Sequence, residues 1–128
     1  MISRKGDFKR AIYQFNKIVL FFDLLLHQKM TILGLSDSHD DYTKYVRWVT
    51  NQDLEGFTTD TLLKIYYMIG IYKSLRILFP TKEQAVDWLR NDSMATVVGP
   101  YPPLSRIISG DTRDLKAVND HLNSLVIV

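Results

Sequence analysis

The residues that could do chemistry are scattered along the chain, and their spacing argues against catalysis. Three histidines, His27, His39 and His121, could act as general bases or metal ligands, but no two have the i, i+3 or i, i+4 spacing that puts a pair on one helical face. Each reads as an exposed or helix-capping residue. The chain has no cysteine, which removes disulfides, thiolate zinc sites and a thiol nucleophile together. The six glycines stand singly, scattered at turns and helix ends apart from Gly70, so no phosphate loop of the standard kind exists. No nucleophile–base pair or carboxylate pair is recognisable. The sequence therefore reads as a binding protein and not an enzyme, with no catalytic residue, no metal ligand set and no cofactor.

Two groupings suit macromolecular contacts instead. In the first, Met30 to Ser36 with Gly34 at its centre, followed by Tyr42, Tyr45, Val46 and Trp48, has the layout of a helix-turn-helix. Lys44, Tyr45 and Arg47 are its candidate DNA contacts. The second helix opens with Asp37, His39, Asp40 and Asp41, and carboxylates there repel phosphate while suiting the positive end of a helix dipole. Operator binding and a packing or dimerisation lobe both remain open readings. In the second grouping, Arg90, Asn91, Arg106 and Arg113 fall at helix ends or on polar faces, where forked donors can meet a partner's carboxylates. The last seven residues carry no charged side chain and include Leu125, Val126 and Val128. Such an end either folds onto its own core or enters a partner. Tyr66, Tyr67 and Tyr72 with Arg76 read as core edge and interface.

These groups need a scaffold, and the composition supplies one. A hydrophobic fraction of 46% over 128 residues suffices for one packed core, which excludes a disordered chain. The net charge of +2 means that any electrostatic partner is addressed by a local patch and not by the whole surface. The longest apolar run, Ile18 to Leu26, is broken by Asp23 and is far shorter than the roughly 18 to 20 residues of a membrane span. With no targeting segment recognisable, a cytoplasmic protein is expected.

The patterning predicts an all-α fold of about seven helices. Phe8, Ile12, Phe15, Val19, Phe22 and Leu26 mark the inward face of the first. A short second helix, about Gln28 to Leu33, stops at Gly34, and Ser36, Asp37 or Ser38 caps a third that runs to about Val49. Asn51 to Phe57 reads as the linker between an N-terminal lobe, residues 1–57, and a C-terminal unit, residues 58–128. A long helix from Thr58 to Phe79 follows, with Leu62, Ile65, Ile69, Tyr72 and Leu75 along one face. Gly70 in its middle costs about 1 kcal/mol relative to Ala, and a close helix crossing is the expected reason. Thr81 and Gln84 form a capping box for a short helix carrying Ala85, Trp88 and Leu89. An irregular loop leads to Pro103, which opens a brief helix closed by Gly110. Asp111 or Thr112 caps the last helix, with Leu115, Val118, Leu122 and Leu125 as its buried stripe.

From Thr58 onward the sequence resembles the Xre/MbcA/ParS toxin-binding family, the antitoxins encoded beside RES-domain toxins in bacteria. The likeness runs through Asp60-Thr61-Leu62, Gly70 to Pro80, Ala85 to Asn91, Pro103-Leu104 and Ser109-Gly110-Asp111, a little over half of the chain with its elements in family order. Leu33-Gly34-Leu35-Ser36 and Tyr45 with Arg47-Trp48 are similar, more loosely, to the family's N-terminal DNA-binding lobe. The resemblance implies an antitoxin of a type II toxin–antitoxin system that occludes the active site of an NAD-degrading RES toxin without binding NAD itself. It further implies a homodimer within the complex, toxin contact through the C-terminal domain, and an N-terminal lobe that dimerises or binds operator DNA. The alternative function is a helix-turn-helix transcriptional autoregulator.

Overall fold

A computed structural model of the chain describes residues 4–50, 53–91 and 101–126, which form seven helices and no strand. Among the described residues, no helix is long and apolar enough to cross a membrane. The expected all-α architecture is therefore the observed one.

The first helix, α1 (Arg4–Phe21), buries Ala11, Ile12, Phe15, Ile18 and Val19, close to the expected face. It ends sooner than the apolar run suggests. Asp23 adopts a left-handed conformation (φ 56°), the Leu24 N–H donates to Val19 O, and the Asp23 N–H donates to Leu20 O. This is the Schellman closure normally built on glycine. Because the chain turns there, Phe22 stays buried while Leu26, expected on the same face, is exposed.

Helix α2 (Leu26–Ile32) closes in the same way one element later, with Gly34 at φ 85° and the Leu35 N–H donating to Met30 O. Helix α3 (His39–Val49) is capped by Ser38, whose Oγ accepts the Asp41 N–H at 3.2 Å. The segment read as a linker is pinned where it is described. Trp48 Nε1 donates to Glu55 O at 2.8 Å, and Phe57 packs against the rings of Trp48 and Phe8. The hydrophobic cluster continues across this boundary, from α1 into the second half of the chain.

Helix α4 (Thr59–Leu78) is the longest, as its uninterrupted pattern predicts, and Thr58 caps it by accepting the Thr61 N–H. It packs along both α1 and the last helix, α7 (Thr112–Val126), so it buries a wider surface than one stripe. Ile65, Met68, Ile71 and Leu75 are its centre, whereas Leu62, Ile69 and Tyr72 from the expected face are half-buried flanks. Gly70 sits where α4 crosses α7, with Asn119 directly against it.

After Pro80, the Thr81–Gln84 capping box forms in both directions: the Gln84 N–H donates to Thr81 Oγ1 at 3.2 Å and the Thr81 N–H donates to Gln84 Oε1 at 3.3 Å. It starts α5 (Lys82–Asn91), which buries Ala85 and Leu89. Most of the loop expected next, residues 92–100, lies outside the described residues. Pro103 occupies the first turn of α6 (Pro103–Ile107), and Asp111 starts α7 by accepting the Arg113 N–H at 2.8 Å. On α7 the buried stripe is Leu115, Val118 and Leu122. Leu125 departs from the expectation, because the last turn runs past its packing partners and exposes Asn123, Ser124 and Leu125 together.

Candidate partner-binding surface

The capping box fixes where α5 begins, and its helical period then sends Ala85 and Leu89 inward and leaves Trp88 half-buried at the edge. Trp88 lies between two aromatic rings. Phe79, at the end of α4, is 6.4 Å away between centroids. His121 of α7 is also 6.4 Å away and nearly parallel, with 7° between the planes. His121 is thus part of an aromatic ledge, which corrects the reading of it as an exposed or capping residue. Leu125 stands one helical turn beyond His121 and is 45% exposed, extending the ledge toward the C-terminal end of α7.

Two shallow hollows flank α5. One, of about 290 Å3, is lined by Phe79, Gln84 and Trp88; the other, of about 360 Å3, is lined by Asp23, Lys82, Glu83, Val86 and Arg90. Asp87 and Asn91 line both and form the ridge between them, with Asn91 Nδ2 donating to Asp87 Oδ1 at 2.7 Å. Arg90 reaches back to α1, where Nη2 donates to Phe22 O at 3.0 Å and to Asp23 O at 3.3 Å. It satisfies carbonyls left open at that helix end, and among the described residues its Nε and Nη1 make no bond.

The other two expected arginines lie elsewhere. Arg106 pairs with Asp114 at 3.1 Å and Arg113 with Asp111 at 2.9 Å, the Arg113 side chain being 91% exposed. Hydrogen bonds from Arg113 hold the Asp111 carboxyl below the usual aspartate range. The fold puts these pairs at the opposite end of α4: Thr112 donates to Asp60 in its first turn, while Trp88 packs on Phe79 beyond its last. At 1.5 Å rise per residue the two ends are roughly 28 Å apart. The expected contact set therefore divides, with Arg90, Asn91, Leu125 and Val126 at one end of the bundle and Arg106 and Arg113 at the other. Val128 lies outside the described residues.

The sequence reading missed Phe79 and His121 as surface-forming groups. In the sequence Phe79 reads only as a helix terminus, and the partnership of His121 with Trp88 spans 33 positions that no local period connects.

On α3 the three candidate DNA contacts also divide. Arg47 is exposed, and Lys44 is partly exposed with its Nζ 3.9 Å from Asp41. Tyr45 is only 8% exposed and belongs to the core, so its assignment as a DNA contact is corrected: the period that turns Lys44 and Arg47 outward turns residue 45 inward. Burial, with a smaller contribution from Tyr42, raises the Tyr45 phenol above its ordinary pKa. The hollow beside Lys44 and Arg47, about 520 Å3, is also lined by Asp40, Asp53 and Glu55, so carboxylates outnumber the two cations there. Neither a family model, nor a curated protein, nor a solved structure matches the chain.

Proposed function

We propose that this chain is the antitoxin of a type II toxin–antitoxin pair, holding a RES-domain, NAD-degrading toxin inactive by covering its active site. The observation that carries the reading is the half-exposed ledge of Phe79, Trp88 and His121 continued by Leu125. Protein interfaces draw most of their affinity from partly exposed aromatic anchors set among polar groups. Asn91 and Arg90 on the adjoining ridge supply such polar groups. The ledge also falls within the part of the chain that resembles the toxin-binding domain, which names the partner class. On this reading the protein works in the cytoplasm, as a homodimer within the complex.

The test is co-expression with the product of the adjacent reading frame. The expected result is a complex that survives purification, and growth of cells that the partner alone arrests. Failure of the two proteins to associate would overturn the reading.

A second reading, a DNA-binding autoregulator, is favoured by one feature, the left-handed glycine turn between α2 and α3 that leaves Arg47 outward. It ranks below the first because Asp40, Asp53 and Glu55 share that face. It requires a mobility shift on the protein's own promoter that weakens with salt and on R47A.

A further inference from the structure

Lys64 is the one charged residue of the described core, with 7% of its surface exposed. A buried ammonium costs several kcal/mol unless its charge and its donors are both met. Here the charge is partly met, since Asp60 Oδ2 lies 3.6 Å away. The donors are left open to the cavity: that distance is beyond hydrogen-bond reach, among the described residues Lys64 donates to nothing, and its Nζ is not a fully enclosed atom. Asp60 is itself 62% exposed and accepts the Thr112 hydroxyl with its other oxygen, at 3.1 Å.

The ammonium lines a cavity of about 290 Å3 between the turn after α2, the turn before α4 and the first turns of α4. Lys44 lines the same cavity. Its side chain crosses Gly56, a left-handed residue (φ 84°), so closely that a Cβ there would stand 3.2 Å from its Nζ. Lys64 passes Gly34, also left-handed, in the same manner at 3.5 Å. Lys44 too makes no hydrogen bond among the described residues, and its nearest carboxylate, Asp41, is 3.9 Å away. The oxygen facing it is Asp41 Oδ1, while Oδ2 accepts the Ser36 N–H at 2.7 Å and the Ser36 hydroxyl at 2.8 Å. Two ammonium groups that make no hydrogen bond among the described residues thus line one cavity, each facing one carboxylate oxygen, Asp60 Oδ2 or Asp41 Oδ1, across a longer ion-pair distance. The N-terminal end of the 20-residue helix α4, capped by Thr58 and carrying Asp60 in its first turn, borders the same wall and contributes the positive end of its dipole.

We propose that this cavity binds a phosphate group, with Lys64 at its base and Lys44 at its mouth. A tetrahedral oxyanion offers several acceptors to two point-charge donors at once, which a single carboxylate matches less well. The mouth adjoins the hollow along α3, since both share Lys44 and Gly56. The phosphate can therefore be free or part of a larger molecule. This inference does not depend on the toxin-binding reading.

The test is a titration of the isotopically labelled full chain with inorganic phosphate at fixed ionic strength, followed by amide NMR. Saturable shifts are expected at Gly34, Gly56 and Thr61, weakened about tenfold by K44M, the loss of one charge-assisted contact. K64M should abolish them. Should that variant not fold, K44M on its partly exposed site still decides. A duplex oligonucleotide that moves the same amides and competes with phosphate identifies a nucleic-acid phosphodiester as the source; saturation by phosphate with no effect of the duplex identifies a free phosphate or phosphorylated small molecule. Absence of saturable shifts at these amides with either probe, or shifts unchanged by K44M, overturns the proposal.

Discussion

Gly70 on α4 faces Asn119 on α7 so closely that a Cβ at position 70 would overlap Asn119 Oδ1 and stand 3.1 Å from its Cγ. The same Oδ1 is buried and, among the described residues, has no hydrogen-bond partner. The glycine thus allows the two helices to cross at the expense of a helix-propensity penalty of about 1 kcal/mol. G70A recovers that penalty but overpacks the crossing, at roughly 1 to 3 kcal/mol, because rotating the amide alone does not move Cγ away. The expected result is a net loss of about 1 kcal/mol by urea denaturation. In an N119A background the obstacle is gone and the same substitution should stabilise by about 1 kcal/mol. Equal effects of G70A in the two backgrounds would refute a steric role for Asn119.

Asp23 closes α1 in a conformation that costs an L-residue roughly 1 to 2 kcal/mol. Its ion pair with Lys82, 3.7 Å long and largely exposed, returns little of this. D23G is therefore expected to raise stability by about 1 kcal/mol, read as a higher urea midpoint at unchanged m-value. A lowered midpoint would mean that the carboxylate contributes more to the α1–α5 junction than its exposure suggests.

The helices were legible because their ends are written locally. Gly34 with its Schellman bonds, Thr81 with Gln84, and Pro103 at a first turn each act within a few residues, and each stands where its chemistry predicts. The faces were less legible. Helix α4 is enclosed by two neighbours, so the stripe through Leu62, Ile69 and Tyr72 is a flank and Met68 and Ile71 are the centre. The closure at Asp23 was hidden because aspartate rarely takes that conformation. The candidate surface was half legible: Asn91 and Leu125 were singled out by polarity and position, whereas the Trp88–His121 stack joins α5 to α7 and exists only in the folded chain.

Asp41 accepts the Ser36 N–H and the Ser36 hydroxyl, and these bonds hold its pKa below the ordinary 3.8, with Lys44 a lesser contributor. A folded-state pKa depressed in this way contributes stability that is present above the unfolded value and is lost as pH falls through the folded one. The expected titration, followed by carboxyl carbon NMR, has its midpoint below 3.8 in the intact protein. S36A removes one of the two donors and should move the midpoint part of the way up. D41N should flatten the stability profile on the acid side of pH 4 while leaving the neutral region's pH dependence unchanged. A midpoint that stays put in S36A would show that the hydroxyl bond does not hold the carboxylate.

The division of the candidate contacts between two ends of α4 makes the partner's footprint testable. Leu125 is 45% exposed on a helix turn that packs little, so L125E should leave the melting temperature nearly unchanged. If the ledge seats the partner, the same change puts a charge against a desolvated aromatic surface and should weaken binding by about a hundredfold, the 2 to 3 kcal/mol of a central interface residue. N91A, on the ridge between the hollows, should weaken it by about tenfold through a lost hydrogen bond. R113A lies twelve residues before Leu125 on the same helix, roughly 18 Å along its axis, and a partner centred on the ledge should tolerate it within about threefold. Titration calorimetry with the co-purified partner reads all three. The opposite order, with R113A severe and L125E silent, would move the interface to the α6–α7 corner and leave the aromatic ledge as a packing feature of the bundle.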